Sequence, residues 1–243
     1  MGSVTIENIS KTLYFNNIST NILRNIDLNI DHGFTAISGP AGSGKSTLLN
    51  IIGGLDRPTS GMVKVNNTDL SIFDEEGLAI FRRRNIGFIF RDFIPTMNAY
   101  ENIIFPLEID DRIADREYIM QIAELLNIKD KMLYLPRHLS AGERQKLAII
   151  RALANKPPVI LANEPTGNLD SNTSLEVVDL LRLTSEKFNQ AVIMITHKKE
   201  IAELADRIMY LCDGKIRELH ERRDNNVNFK TDQSTFIKKA YHT

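Results

Sequence analysis

Apolar and polar residues alternate along "NIDLNID" (25–31), with Ile26, Leu28 and Ile30 on one side, and this spacing predicts a half-buried strand. "SVTIENI" (3–9) alternates in the same way. Asp31-His32-Gly33 reads as a turn, and "FTAIS" (34–38) as a short apolar strand running straight into glycines. After "PTSG" (58–61) the pattern predicts another strand, "MVKV", closed by a hairpin turn at Asn66-Asn67. The first third is therefore expected to be β-rich.

The period then changes. "DREYIMQIAELLNI" (115–128) places Ile119, Ile122 and Leu126 at helical spacing behind a candidate cap, Asp115. "AGERQKLAIIRALANKPP" (141–158) repeats this with Leu147, Ile150 and Ala154 and stops at Pro157-Pro158. From 159 onward strands and helices alternate: "VILA", the helix "LEVVDLLRLTSEKF", "AVIMIT", the helix "KEIAELAD", and a hairpin at Asp213-Gly214. Such alternation predicts an α/β fold with a parallel sheet and helices on its faces. Residues 221–243 have no clear period and read as a loose C-terminal tail. There is no internal repeat and no long flexible linker.

Composition narrows the class. The chain has 243 residues, which is ample for one large core or a domain with a subdomain. Thirty basic against thirty-one acidic residues argue against nucleic acid as a partner, since such proteins usually show a basic excess. One cysteine, Cys212, excludes an internal disulfide and fits a reducing compartment. The longest apolar runs, such as "AVIMI" and "GFIF", fall far short of the roughly 18 residues that span a bilayer, and the start lacks a signal-peptide pattern. These features predict a soluble intracellular chain.

"GPAGSGKST" (39–47) follows a predicted strand and opens the apolar stretch "TLLNIIGGL". It matches G-x-x-x-x-G-K-[ST] at Gly39, Gly44, Lys45 and Ser46, with Gly42, Ser43 and Thr47 completing the loop. Glycines let backbone N–H groups turn toward phosphate oxygens, and the helix start adds its dipole. Lys45 reaches the β- and γ-phosphates, and the Ser46 hydroxyl is available to Mg²⁺. The motif predicts nucleoside-triphosphate binding.

"LSAGERQKLAIIRAL" (139–153) resembles the signature motif of ATP-binding cassette (ABC) ATPases, with Ala141 where the first glycine of L-S-G-G usually stands. "EPTGNLD" (164–170) follows about twenty residues later, as in that family, and the resemblance runs from "NISKTLY" to "CDGKI". It implies a phosphate-loop NTPase (RecA-like) core with an N-terminal antiparallel β-subdomain and a helical subdomain inserted at about 92–155, all in one domain over 1–220. It also implies roles. Tyr14, or Phe15 beside it, looks like the aromatic that stacks on adenine, an ordinary core aromatic being the competing reading. Ser140 and Gly142 look like the residues that close over the γ-phosphate held by the opposite subunit. Glu164 looks like the general base, Asp170 resembles part of the loop that communicates across the dimer, and His197 looks like the switch histidine. With ATP between two chains, ATP acts as a dimerising ligand.

"LAIFRRRNIGFIFRDFIPTMNAYENIIFPL" (78–107) is similar to a narrower subgroup, the cassettes that release lipoproteins, export macrolides or resist antimicrobial peptides. Those work with separately encoded membrane subunits, so the implied partners are a second ATP-binding subunit, in a homo- or heterodimer, and an integral membrane permease. The implied location is cytoplasmic and peripheral on the inner face of the cell membrane. Arg82-Arg83-Arg84 reads as a solvated helix face rather than a lipid contact. A nucleic-acid role within the superfamily usually brings a coiled-coil insertion or tandem cassettes. Here 94 positions separate Ser46 from Ser140.

Two positions depart from the family pattern: Arg91 stands where a glutamine is usual and Asn163 where an aspartate is usual. In the family both serve Mg²⁺, the glutamine directly and the aspartate through water. Arginine offers no acceptor, so two readings of Arg91 stand: it meets phosphate oxygens instead, or it swings out to solvent. Asn163 can still accept from a metal-bound water but brings no charge. A unit charge about 5 Å from Mg²⁺ is worth roughly 6 kcal/mol at an effective dielectric near 20. Outer-shell losses at real metal sites cost about 10- to 100-fold, and that second figure is the expectation for each change. Three readings of Asn163 follow: a slow hydrolase, a non-hydrolysing or degenerate ATP-gated subunit, or a trapped variant.

Overall fold

The alternating segments form two sheets in a computed structural model that describes residues 2–15, 18–90, 92–167 and 169–221. In chain order the elements are β1 (Val4–Phe15), β2 (Ile18–Ile30), β3 (Gly33–Ser38), α1 (Lys45–Ile52), β4 (Ser60–Val65) and β5 (Thr68–Asp69). Then come α2 (Glu75–Asn85), β6 (Ile86–Ile89), α3 (Ala99–Glu108), α4 (Arg116–Leu125) and α5 (Ala141–Leu153). The last part is β7 (Val159–Asn163), α6 (Ser171–Phe188), β8 (Ala191–Ile195), α7 (Lys199–Ala202), β9 (Arg207–Cys212) and β10 (Lys215–Glu221).

The first sheet is antiparallel, in the order β2-β1-β4-β5. The second runs β10-β9-β3-β8-β7-β6 and is parallel from β9 to β6, with β10 folding back antiparallel at one edge. Its central strands are short apolar runs because both faces are covered. Alternate residues face opposite ways. Leu161, Ile193 and Ile195 join α1 and the antiparallel sheet in one apolar cluster. Ile160, Ala162, Val192 and Met194 join α3, α4, α5 and α6 in the other. Helices α3, α4 and α5 lie between β6 and β7, within residues 92–155.

Caps explain most helix starts. Asp115 accepts from Tyr118 N at 3.0 Å, as its position before the periodic run predicts. Asn66 and Asn67 take φ of 50° and 62°, the left-handed pair that a tight hairpin needs, and Asp213-Gly214 does the same at 50° and 72°.

Four features differ from the pattern-based expectation. Strands β1 and β2 extend to Phe15 and from Ile18, because bulges around Asn8 and Asn25, both left-handed, interrupt the period of two. Helices α2 and α3 fall in a stretch for which the pattern gives no helix: α2 buries only Leu78 and Phe81, and α3 holds Pro106 inside it. Helix α7 ends at Ala202 instead of Asp206. Leu204 N and Ala205 N bond three residues back, and Asp206 is drawn off to Phe34, exchanging backbone N–H to O (2.8 Å) for Phe34 N–H to Oδ2 (2.9 Å). The arginine run is not a simple solvated face. Arg82 donates to Gly54 O at 2.7 Å, and Arg83 and Arg84 reach Asp110 at 3.5 and 2.9 Å, fastening α2 to the chain just past α3. The predicted loose tail from residue 222 onward lies outside the described residues.

Candidate functional site

Strands β3, β8 and β7 end level with one another: Ile37 pairs with Ile195, and Ile195 with Asn163. The residues that follow each strand therefore emerge side by side, at the edge where open α/β sheets bind ligands. From β3 comes the glycine loop, from β7 Asn163 and Glu164, and from β8 Thr196 and His197.

The loop is held by close backbone approaches. A Cβ on Gly39 would lie 2.0 Å from Leu211 O, and one on Gly44 would lie 2.9 Å from Ile22 O, so the loop fits only because both are glycine. Gly42 needs glycine for its φ of 76°. Ser43 is buried, and its carbonyl accepts from Gly214 N at 3.3 Å. Gly44, at φ 100°, starts α1 without any side-chain cap, leaving the helix's positive end uncapped by protein side chains. Lys45 folds over the loop: its ammonium donates to Gly39 O (2.8 Å), Pro40 O (2.6 Å) and Ser43 Oγ (3.4 Å). Ser46 is exposed and Thr47 half-buried on the first turn.

Asn163 is the one exposed residue of β7, and its Nδ2 donates to Ser46 Oγ at 3.4 Å. Glu164 adopts φ 51°, with its N–H donating to Ile195 O, so the chain turns sharply as it leaves the sheet. Its Oε1 lies 2.9 Å from His197 Nδ1. Beside them Lys198 Nζ donates to Thr166 O at 3.1 Å, bracing the turn after Glu164 from the β8 side.

The remaining candidates sit elsewhere. Ser140 caps α5 in a reciprocal box with Glu143, its Oγ accepting from Glu143 N (3.2 Å) and Glu143 Oε2 accepting from Ser140 N (2.7 Å). The Ser140 backbone N–H, then its hydroxyl, hold the Glu143 carboxyl below its ordinary pKa. Gly142 lies in the first turn of α5. Asp170 caps α6, accepting from Thr173 N and Thr173 Oγ1, which lowers its pKa. Tyr14 is 77% exposed near the tip of the β1–β2 hairpin, which touches the glycine loop at Ile22 and Leu23. Arg91 lies outside the described residues, as does the side chain of Phe15. The structure thus brings together Gly39 to Thr47, Asn163, Glu164 and His197; Tyr14, Ser140, Gly142 and Asp170 are borne by other elements.

Sequence reasoning missed the supports of the loop between β6 and α3. Asn102, buried in α3, donates to Ile94 O, Met97 O and Asn98 O and accepts from Ile94 N. Arg151 donates to Phe90 O and Asp92 O. Burial lowers the Arg151 pKa from its ordinary value while the Asp92 carboxylate raises it. A lone arginine in the apolar run "LAIIRAL" was the available signal.

The profile describing "ABC transporter" matches residues 23–167. MJ0796 of Methanocaldococcus jannaschii, an ABC transporter ATP-binding protein, is 40% identical over 222 residues, covering 88% of this chain and 94% of its own length. The lipoprotein-releasing system ATP-binding protein LolD of Legionella pneumophila is 37% identical over 218 residues, covering 88% of this chain and 96% of its own. A solved dimeric structure of MJ0796, in a post-hydrolysis state bound to ADP and Pi, superposes with a TM-score of 0.85 at 37% identity, covering 91% of this chain and all of that one. The fold is therefore the phosphate-loop NTPase class, with its antiparallel β-subdomain and inserted helices. By its motifs, its architecture and these similarities, the chain belongs to the ABC transporter family.

Proposed function

We propose that this chain is the ATP-binding, ATP-hydrolysing subunit of an ABC transporter, loaded with ATP as a dimer and docked on the cytoplasmic face of a separately encoded membrane subunit. The observation that carries the reading is the meeting, at three level strand ends, of an uncapped helix start with Lys45, the Ser46–Asn163 pair and the Glu164–His197 pair. A triphosphate supplies the acceptors that Lys45 now finds in Gly39 O and Pro40 O, and its charge matches the start of α1. Residues 1–220 act as one domain in this reading.

Glu164 takes a proton from the attacking water, and His197 leaves the Glu164 carboxylate to meet the γ-phosphate. Ser140 and Gly142 of a second chain cover the phosphate face that the first chain leaves open, Tyr14 stacks on the base, and Asp170 lies at the chain–chain contact. The Ser46 hydroxyl and the Asn163 amide fit a Mg²⁺ carried in on the phosphates: one neutral ligand and one neutral water-holder, with no carboxylate at Asn163. The ion, when bound, neutralises phosphate charge. Asn163 and Arg91 leave that site weaker than the family pattern, so hydrolysis is slow.

The proposed membrane partner draws support from a cavity of about 530 Å³ between β6, α3 and α5, with Phe88, Phe90, Phe93 and Phe105 in its lining. Among the described residues no helix is long and apolar enough to cross a membrane. A second reading, an ATP-gated subunit that does not hydrolyse, is favoured by the missing charge at Asn163 and opposed by Glu164. Light scattering of Glu164→Gln tests the first: with ATP it is expected to have twice the chain mass and keep it, and a monomer at saturating ATP overturns the dimer reading.

A further inference from the structure

The proposed mechanism moves His197: it leaves Glu164 for the γ-phosphate, and the 2.9 Å contact between its Nδ1 and Glu164 Oε1 is given up. The general base must then keep its place without that contact. Glu164 holds φ 51°, a left-handed conformation that costs a non-glycine residue free energy and persists only where the surroundings over-determine it. Its N–H is fixed on Ile195 O at 3.0 Å, and its carbonyl accepts from Gly167 N at 3.2 Å, which closes a turn over residues 164–167. Thr166 is the third residue of that turn and is fully buried.

Lys198, next to His197 in the chain, grips this turn from the neighbouring strand. Its Nζ donates to Thr166 O at 3.1 Å. The same carbonyl accepts from Leu169 N at 3.3 Å, so one oxygen joins the Glu164 turn, the approach to α6 and the chain leaving β8. The lysine is itself anchored at its backbone. Its N–H donates to the hydroxyl of buried Thr196 at 3.1 Å, and the Thr196 N–H donates to Ile37 O at 3.3 Å. His197 thus has an anchored residue on either side, while its own side chain is 66% exposed and free to turn. The Lys198 side chain is half-buried, and a hydrogen bond from an ammonium to a carbonyl is stronger than one from a neutral donor.

We infer that Lys198 is a positioning residue for hydrolysis: its bond to Thr166 O holds the turn that aims Glu164, and holds it independently of the Glu164–His197 contact. This rests on the proposed ATP hydrolysis, with Glu164 as its base.

Single-turnover hydrolysis, expressed as the rate per bound ATP, tests it in Lys198→Met, which keeps an apolar stem and removes the donor, beside Lys198→Arg, which restores one. ATP affinity and melting temperature are measured on the same proteins. Lys198→Met is expected to split bound ATP about tenfold more slowly, within the range that a small misplacement of a catalytic group costs. Its ATP affinity should stay within about twofold of wild type, the mark of an interaction that serves turnover and not binding. Lys198→Ala, the second truncation, should behave as Lys198→Met does, and Lys198→Arg should recover the rate to within about threefold of wild type. A Lys198→Met protein that splits bound ATP as fast as wild type overturns the inference. So does a Lys198→Arg protein as slow as Lys198→Met, or a loss of ATP affinity as large as the loss of rate, since either means that the lysine serves binding or the fold as a whole. A wild-type chain that binds ATP without splitting it overturns the hydrolytic reading, and the inference with it. That result is told apart from failure of the brace alone, in which wild type and Lys198→Met turn over alike.

Discussion

The strand ends and the start of α5 both carry motifs of the family, yet they are built differently. At the strand ends the polar groups already engage one another: Lys45 with Gly39 O and Pro40 O, Asn163 with Ser46, Glu164 with His197. At α5, the Ser140 hydroxyl and N–H meet only Glu143 among the described residues, in a capping box. A site complete within the chain depends on sheet register, and a site completed by a second chain depends on a helix end held in readiness. The first kind is expected to fail in chemistry when altered, the second in assembly.

The largest effect follows from the strand ends. Glu164→Gln should lower the hydrolysis rate by about 10²- to 10⁴-fold, the range for losing a general base, with ATP still bound. Equal loss of binding would blur the distinction between the two regions. Next, Lys45→Ala removes an ammonium from the phosphate site and should weaken ATP binding by about 10-fold or more, measured by titration calorimetry. Ser140→Asp sharpens the comparison further. Aspartate caps a helix as well as serine does, so melting should barely change, while its charge against a γ-phosphate in the other chain should abolish the ATP-dependent dimer. Ser140→Ala should by contrast cost about 1 kcal/mol, or about 2–4 °C in melting temperature.

The smallest effect concerns pH. The Glu143 carboxyl has its pKa lowered by the Ser140 N–H and hydroxyl, so its stabilisation is present above the unfolded value and lost as pH falls through the folded one. Glu143→Gln should therefore melt below wild type at neutral pH, with the gap closing in acid. A gap independent of pH would mean that the carboxylate charge contributes nothing to the cap.

What the sequence revealed follows the same division. Strands with strict alternation, the helix behind Asp115 and the glycine loop were legible because each rests on local spacing. The β1–β2 extension was not, since left-handed Asn8 and Asn25 shift the register. Nor was the true end of α7, where Asp206 answers to Phe34, 172 positions away in the chain. Arg151 was hidden for a related reason: its partners, Phe90 O and Asp92 O, are backbone atoms that no residue type betrays.

The most direct measurement is Mg²⁺-dependent ATP hydrolysis by the purified chain beside Asn163→Asp and Glu164→Gln. The account predicts slow turnover in wild type, a rise of about 10- to 100-fold with the aspartate, and none with the glutamine. ATP binding without hydrolysis in all three would contradict it, and would make the chain an ATP-gated partner rather than an engine.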